Sequence, residues 1–184
     1  MKVSGIALCL ILVLAATQVC DAQSATSGGL TFDTLVASLR DNGFQAKVTS
    51  TGLSPKAAGQ ILTGVDGVTT QITAMRCSGK NPDSICLVLF SAAFNDASNF
   101  SVDALDVLNK TGLGTVHTRK NPDGSNAGFQ VMYMYATEGF TDAKVIPTVL
   151  NGFGGSVQAV LSKWKELGLA QHSSTATASQ TPNR

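Results

Sequence analysis

Two neighbouring segments constrain this chain more than anything else in it. In 68–77, Val68, Thr70, Ile72 and Ala74 alternate along one face, while 85–94 (ICLVLFSAAF) is almost wholly apolar. Between them 78–84 (SGKNPDS) supplies the Gly, Asn, Pro and Asp that favour turns. Alternation at a period of two marks a strand with one buried face, and an apolar run bounded by turn residues marks a strand held inside a sheet. The pair therefore predicts an antiparallel hairpin whose second arm lies in the sheet interior. A second pair repeats the device: 114–119, the turn Lys120-Asn121-Pro122-Asp123-Gly124, then Phe129, Val131, Tyr133 and Tyr135 alternating with Met132 and Met134. The shared KNPD is turn chemistry recurring, since a repeat architecture needs a sustained period of about 20 residues or more.

The flanking segments have helical spacing. Phe32, Leu35, Val36 and Leu39 form a stripe that Thr31 can cap and that ends near Asn42, with Gly43 just beyond the last turn. Segments 44–51 and 60–65, separated by a turn at 52–55, read as short strands. Val102, Leu105, Val107 and Leu108, with Ser101 as N-cap, make a short helix ending near Gly112. The last helix carries Ile146, Val149, Leu150, Phe153, Val157, Val160, Leu161 and Trp164 as one stripe, with Thr141 expected to cap Asp142 onward. Pro147 opposes it by about 3 kcal/mol if interior, and Gly152, Gly154 and Gly155 by roughly 1 kcal/mol each. Either the helix kinks, or the glycines let it pack closely on the sheet. The order α-β-β-β-β-α-β-β-α implies a single α+β domain over 31–169, an antiparallel sheet of about five to six strands flanked by helices.

The ends differ in character. Lys2 followed by eleven apolar residues at 6–16, then Cys20-Asp21-Ala22 before Gln23, has the form of a secretory signal, so 1–22 is expected to be cleaved. The run is shorter than the roughly 20 residues a helix needs to cross a bilayer, so no stable membrane span is expected after processing. Residues 23–30 read as a flexible lead-in and 170–184, rich in Ser, Thr, Ala and Gln, as a disordered tail. With 13 Lys and Arg against 12 Asp and Glu, the chain has no electrostatic reason to bind nucleic acid. The expected location is periplasmic or secreted.

Few residues offer chemistry. After processing, Cys77 and Cys86 remain, with eight residues between them on the two arms of the first hairpin, where their Cβ atoms can approach. In an oxidising compartment this reads as a disulfide; a redox-active pair would want a short C-x-x-C at a helix N-terminus, and zinc would want two further ligands. His117, beside Val116 on a strand, is a candidate general base, although a lone strand histidine is more often a surface residue. Asp103 and Asp106 stand one helical turn apart, as a solvated face or as paired carboxylates. Asn121, Asp123 and Ser125 imitate the start of a calcium loop, but its twelfth position is Met132. Asn99-Phe100-Ser101 and Asn109-Lys110-Thr111 are formal glycosylation acceptors. No G-x-S-x-G elbow or phosphate-binding loop is present, and no cofactor, metal or catalytic constellation is expected.

Taken in order, 39–44 (LRDNGF), the turn 64–67, the Cys77 and Cys86 hairpin running into CLVLFSAAF, Leu108-Asn109, 121–124 before 131–135, and Gly139-Phe140-Thr141 before the Phe153-centred helix resemble the YbjN-like family of bacterial sensory transduction regulators. The resemblance implies a fold similar to type III secretion chaperones, no enzyme activity, and binding of a protein or peptide partner, homodimers included. Met132, Tyr133, Met134 and Tyr135 are the candidate interaction surface, unless one face of that strand is core and the other lies under a helix. Alternatives are a carrier of a small apolar ligand between Phe90, Tyr133 and Phe153, and a hydrolase using His117.

Overall fold

The computed structural model describes residues 29–79, 83–95, 101–137 and 142–168. The leader 1–22, nearly all of the lead-in, the tail 170–184, Thr141 and the centre of the first hairpin turn lie outside them. The expected order is present: α1 (Phe32–Asp41), β1 (Lys47–Thr51), β2 (Ala57–Val65), β3 (Val68–Arg76), β4 (Ile85–Phe94), α2 (Val102–Asn109), β5 (Thr115–Lys120), β6 (Asn126–Ala136) and α3 (Val145–Glu166). The six strands form one antiparallel sheet in the order β1-β2-β3-β4-β6-β5. β4 is interior, as its apolar sequence requires, and the α2 crossover makes β6 rather than β5 its neighbour.

Register places apolar side chains in rows. Ile61, Ile72, Phe90 and Tyr133 are successive cross-strand partners, and Ala92, Val131 and Val116 form the adjoining row. All three helices gather over this face: Phe153 of α3 lies 5.9 Å from Phe90, and Trp164 stacks on Phe129 at 4.1 Å. Leu35 and Leu39 of α1 and Leu108 of α2 join the same buried cluster. Each fully buried residue of this size contributes about 1.5 to 3 kcal/mol by leaving water, which makes this face the main source of stability.

The ends of the helices follow from their sequences. Thr31 caps α1 in a reciprocal capping box with Thr34, and Gly43 follows at φ +84°. Leu30, at the end of the stretch expected to be flexible, is only 3 % exposed; its carbonyl accepts from the Ile85 N–H at 2.6 Å, and Thr31 bridges Ser84. α3 starts three residues later than expected, at Val145, after Lys144 as N-cap, with Asp142 Oδ1 accepting the Lys144 N–H at 2.8 Å. That start puts Pro147 in the first turn, where a backbone N–H has no intrahelical acceptor to lose, so the proline penalty disappears and α3 runs unbroken for 22 residues.

The α3 glycines divide by what they face. The two-residue turn Asp66-Gly67, with both residues at positive φ, brings Val65 and Asp66 against Gly154, where a Cβ would stand 2.6 Å from Val65 Cγ2 and 2.7 Å from Asp66 Oδ2. Gln158 Nε2 donates to the Asp66 carbonyl at 2.7 Å and fixes the approach. Ser156 Oγ similarly donates to the Leu113 carbonyl at 2.7 Å, with Gly112 making room for it. Nothing stands within 4 Å of a Cβ at Gly152 or Gly155. Gly154→Ala is therefore expected to destabilise the protein by about 1 to 3 kcal/mol through overpacking, and Gly155→Ala to stabilise it by up to about 1 kcal/mol. Urea unfolding of the two variants checks both signs.

Candidate interaction face

A strand turns alternate residues to opposite sides, so the register that sends Ile72, Phe90 and Tyr133 under α3 sends their neighbours the other way. On that second face Met75, Leu87 and Ala136 are cross-strand partners, as are Thr73, Leu89 and Met134 in the next row and Gln71, Ser91 and Met132 in the row after. Leu62 opposite Gln71 extends the last row into β2. Met134 is 66 % exposed, while Met75, Leu87, Leu89 and Met132 are half-buried among their neighbours. Among the described residues no helix lies on this side. The face is apolar because β4 is apolar on both sides, yet only one side receives a helical layer.

The candidate surface 132–135 is therefore split between the faces. Tyr133 and Tyr135 turn inward, are half-buried against the core, and Tyr133 stacks on Phe90 with centroids 6.3 Å apart. Met132 and Met134 turn outward. Sequence reasoning missed Met75, Leu87 and Leu89; the outward periodicity of the two leucines was legible within 85–94, but the apolar residues between them masked it. The space between Phe90, Tyr133 and Phe153, expected for an apolar ligand, is occupied by the rings themselves, with Phe90 and Phe153 fully buried.

His117 stands at the β5 border of the outward face, opposite Gln130, and is exposed. Its Nε2 lies 2.8 Å from Thr115 Oγ1; among the described residues no carboxylate orients the other ring nitrogen, as a catalytic triad would require. Asp103 lies in the first turn of α2, where the helix dipole favours a carboxylate, and Asp106 pairs with Lys110 one turn on. Both are solvated. The calcium-like segment works as a turn: Asp123 Oδ1 accepts from the Ser125 hydroxyl at 2.6 Å and N–H at 2.9 Å, and these bonds hold its carboxyl below the usual carboxylate range. Among the described residues no group of three or more His, Cys, Asp or Glu comes together.

Cys77 and Cys86 are joined, with Cα atoms 4.8 Å apart, and clamp the turn end of the β3 and β4 hairpin beside Met75 and Leu87. At the opposite edge, Asn109 imitates a seventh strand. Its Oδ1 accepts the Val116 N–H at 2.6 Å, and its Nδ2 donates to the Val116 carbonyl at 3.4 Å. The same amide is the acceptor atom of the Asn109-Lys110-Thr111 sequon, so the folded chain already uses it; Asn99 lies outside the described residues.

No family model and no curated protein matches this chain. A solved structure, the crystal structure of an uncharacterized protein from Methanothermobacter thermautotrophicus, is similar at a TM-score of 0.45 with 13% identity, over 74% of this chain and 99% of that one.

Two outcomes follow from these contacts. Replacing both Cys77 and Cys86 by Ala lowers stability by about 2 to 3 kcal/mol, read by thermal unfolding against the oxidised parent. Asn109→Ala costs about 1 to 2 kcal/mol and speeds hydrogen exchange at the Val116 amide more than at Val131 across the ladder.

Proposed function

We propose that this protein is an exported, non-enzymatic interaction domain of the bacterial envelope, YbjN-like in type, that docks a protein partner on the outward sheet face. One observation carries the reading: of the nine positions in the outward rows on β3, β4 and β6, six are apolar (Met75, Leu87, Leu89, Met132, Met134 and Ala136) beside Gln71, Thr73 and Ser91, where an antiparallel sheet facing water normally alternates to polar residues. Methionine suits such a role, because its flexible thioether adapts to the shape of what covers it. The joined Cys77 and Cys86 fit an oxidising compartment, and the leader-like start of the chain fits export into one. The neutral balance of charge agrees with recognition through apolar contact rather than through phosphates or an acidic surface.

Regulation would follow from occupancy of this face and requires no turnover. Met134→Lys places a charge at an exposed position of the face without touching the core, so it should leave the circular dichroism spectrum unchanged. Proteins that accompany the tagged chain from its native envelope, identified by mass spectrometry, should be depleted at least tenfold by that substitution. An unchanged set of companions would overturn the assignment of the face, and His117-dependent turnover of any substrate would overturn the non-enzymatic reading.

A further inference from the structure

Sulfur is distributed unevenly along this chain. Of its four methionines, Met1 opens the leader 1–22, and the other three, Met75, Met132 and Met134, all stand on the outward sheet face. None belongs to the buried core, where methionine ordinarily serves as a gap-filler. Cys9 and Cys20 lie within the leader, and Cys77 and Cys86 are joined to each other. A chain that has lost its leader therefore offers an oxidant no thiolate, the sulfur species such reagents attack most readily. Its open sulfur chemistry is that of three thioethers gathered on one side of the sheet. The other oxidisable ring system, Trp164, is 3 % exposed and stacked on Phe129.

Exposure ranks the three thioethers. Met134 is 66 % exposed, whereas Met75 and Met132 are half-buried. Oxidation follows access, so Met134 is the first to react. The neighbours also differ in what they offer the product. Met132 has Ser91 opposite on β4 and Thr115 opposite on β5, two hydroxyls able to donate to a sulfoxide oxygen. Met134 has Leu89 opposite on β4, which has nothing to donate. A sulfoxide at 134 is thus a polar group beside an apolar one, harmless in water and costly once covered.

We infer that Met134 is a reversible oxidation site, and that its sulfoxide closes the outward face to the docked protein. This inference rests on the docking reading above and adds its regulation. The oxidant is a peroxide. The thioether sulfur attacks one peroxide oxygen, an S–O bond forms as the O–O bond breaks, sulfur gives up two electrons, and the second oxygen leaves as water with both protons. What was a flexible apolar side chain becomes a polar, chiral one at the most exposed apolar position of the face. A docked protein covers Met134, so the oxidant acts on the unoccupied chain and prevents rebinding. The core is spared, because Phe90 and Phe153 pack on the opposite side of the sheet. Methionine sulfoxide reductases, one for each epimer, restore the thioether.

Graded hydrogen peroxide on the processed full-length chain, followed by peptide mass spectrometry, tests the site. In the folded protein Met134 should gain oxygen about threefold or more faster than Met75 and Met132, and in concentrated urea the three rates should converge. Equal rates in the folded chain, or a Met134 slower than the other two, overturn the inference. The tagged, oxidised chain, freed of peroxide, is then offered to its native envelope extract. Capture of the companions that Met134→Lys depletes should fall by about tenfold or more and recover after treatment with both reductases. Met134→Leu given the same peroxide should keep its companions, since leucine is apolar and has no sulfur to oxidise. Unchanged circular dichroism separates lost capture from lost folding. Undiminished capture by the Met134 sulfoxide overturns the switch while the docking reading stands, provided Met134→Lys still depletes the companions. If Met134→Lys depletes none either, the docking reading falls and the switch falls with it.

Discussion

The packing of α3 across the inward sheet face is the interaction on which everything else depends. It sets Phe153 against Phe90 and Trp164 against Phe129, and it holds the β2 to β3 turn through Gly154 and Gln158. The same helix reaches the other side of the domain through Ser156, which fixes the loop before β5. One element thus ties together segments that the chain places far apart, and two small residues on it set how closely they approach. Remove that close fit and the strands lose the common surface that fixes their register, because a one-residue slip would turn every inward side chain toward water.

The same register dictates the outward face. Strand alternation makes the two faces inseparable: whatever buries Phe90 and Tyr133 must present Leu89, Met132 and Met134 on the reverse. A β4 sequence with apolar residues on both sides is ordinary for a sheet covered twice and unusual for one covered once. The functional proposal follows from that arithmetic of layers, with the aromatic residues assigned to stability and the methionines to recognition.

Element order and fold class were legible in the sequence because each element carried a local signal. Thr31 and Ser101 stood where caps belong, turn residues separated the strands, and Cys77 and Cys86 sat on opposing arms of one hairpin. What was not legible depended on distant partners. The start of α3 was set three residues early by taking Thr141 as its cap, and that placement made Pro147 an interior residue, whereas a start at Val145 puts it harmlessly in the first turn. The orientation of 132–135 was undecided because a strand's pattern shows two faces but not which one a helix will choose. Gly152, Gly154 and Gly155 were indistinguishable as letters; only the turn at Asp66 singles out Gly154. Asn109 read as a glycosylation acceptor or a family position, since its bond to Val116 forms only after α2 has docked beside β5.

The place of α3 at the end of the element order has a consequence for biogenesis. During synthesis the sheet residues emerge before the helix that shields them, so a growing chain exposes two greasy surfaces at once instead of one. The pairing of Leu30 with Ile85 is similarly deferred until the distant strand arrives. On the proposed reading of an exported chain, the same delay would be met on the far side of a membrane, with the most aggregation-prone moment just before Trp164 comes through. Holding factors at that exit would be needed briefly, until the final helix lands.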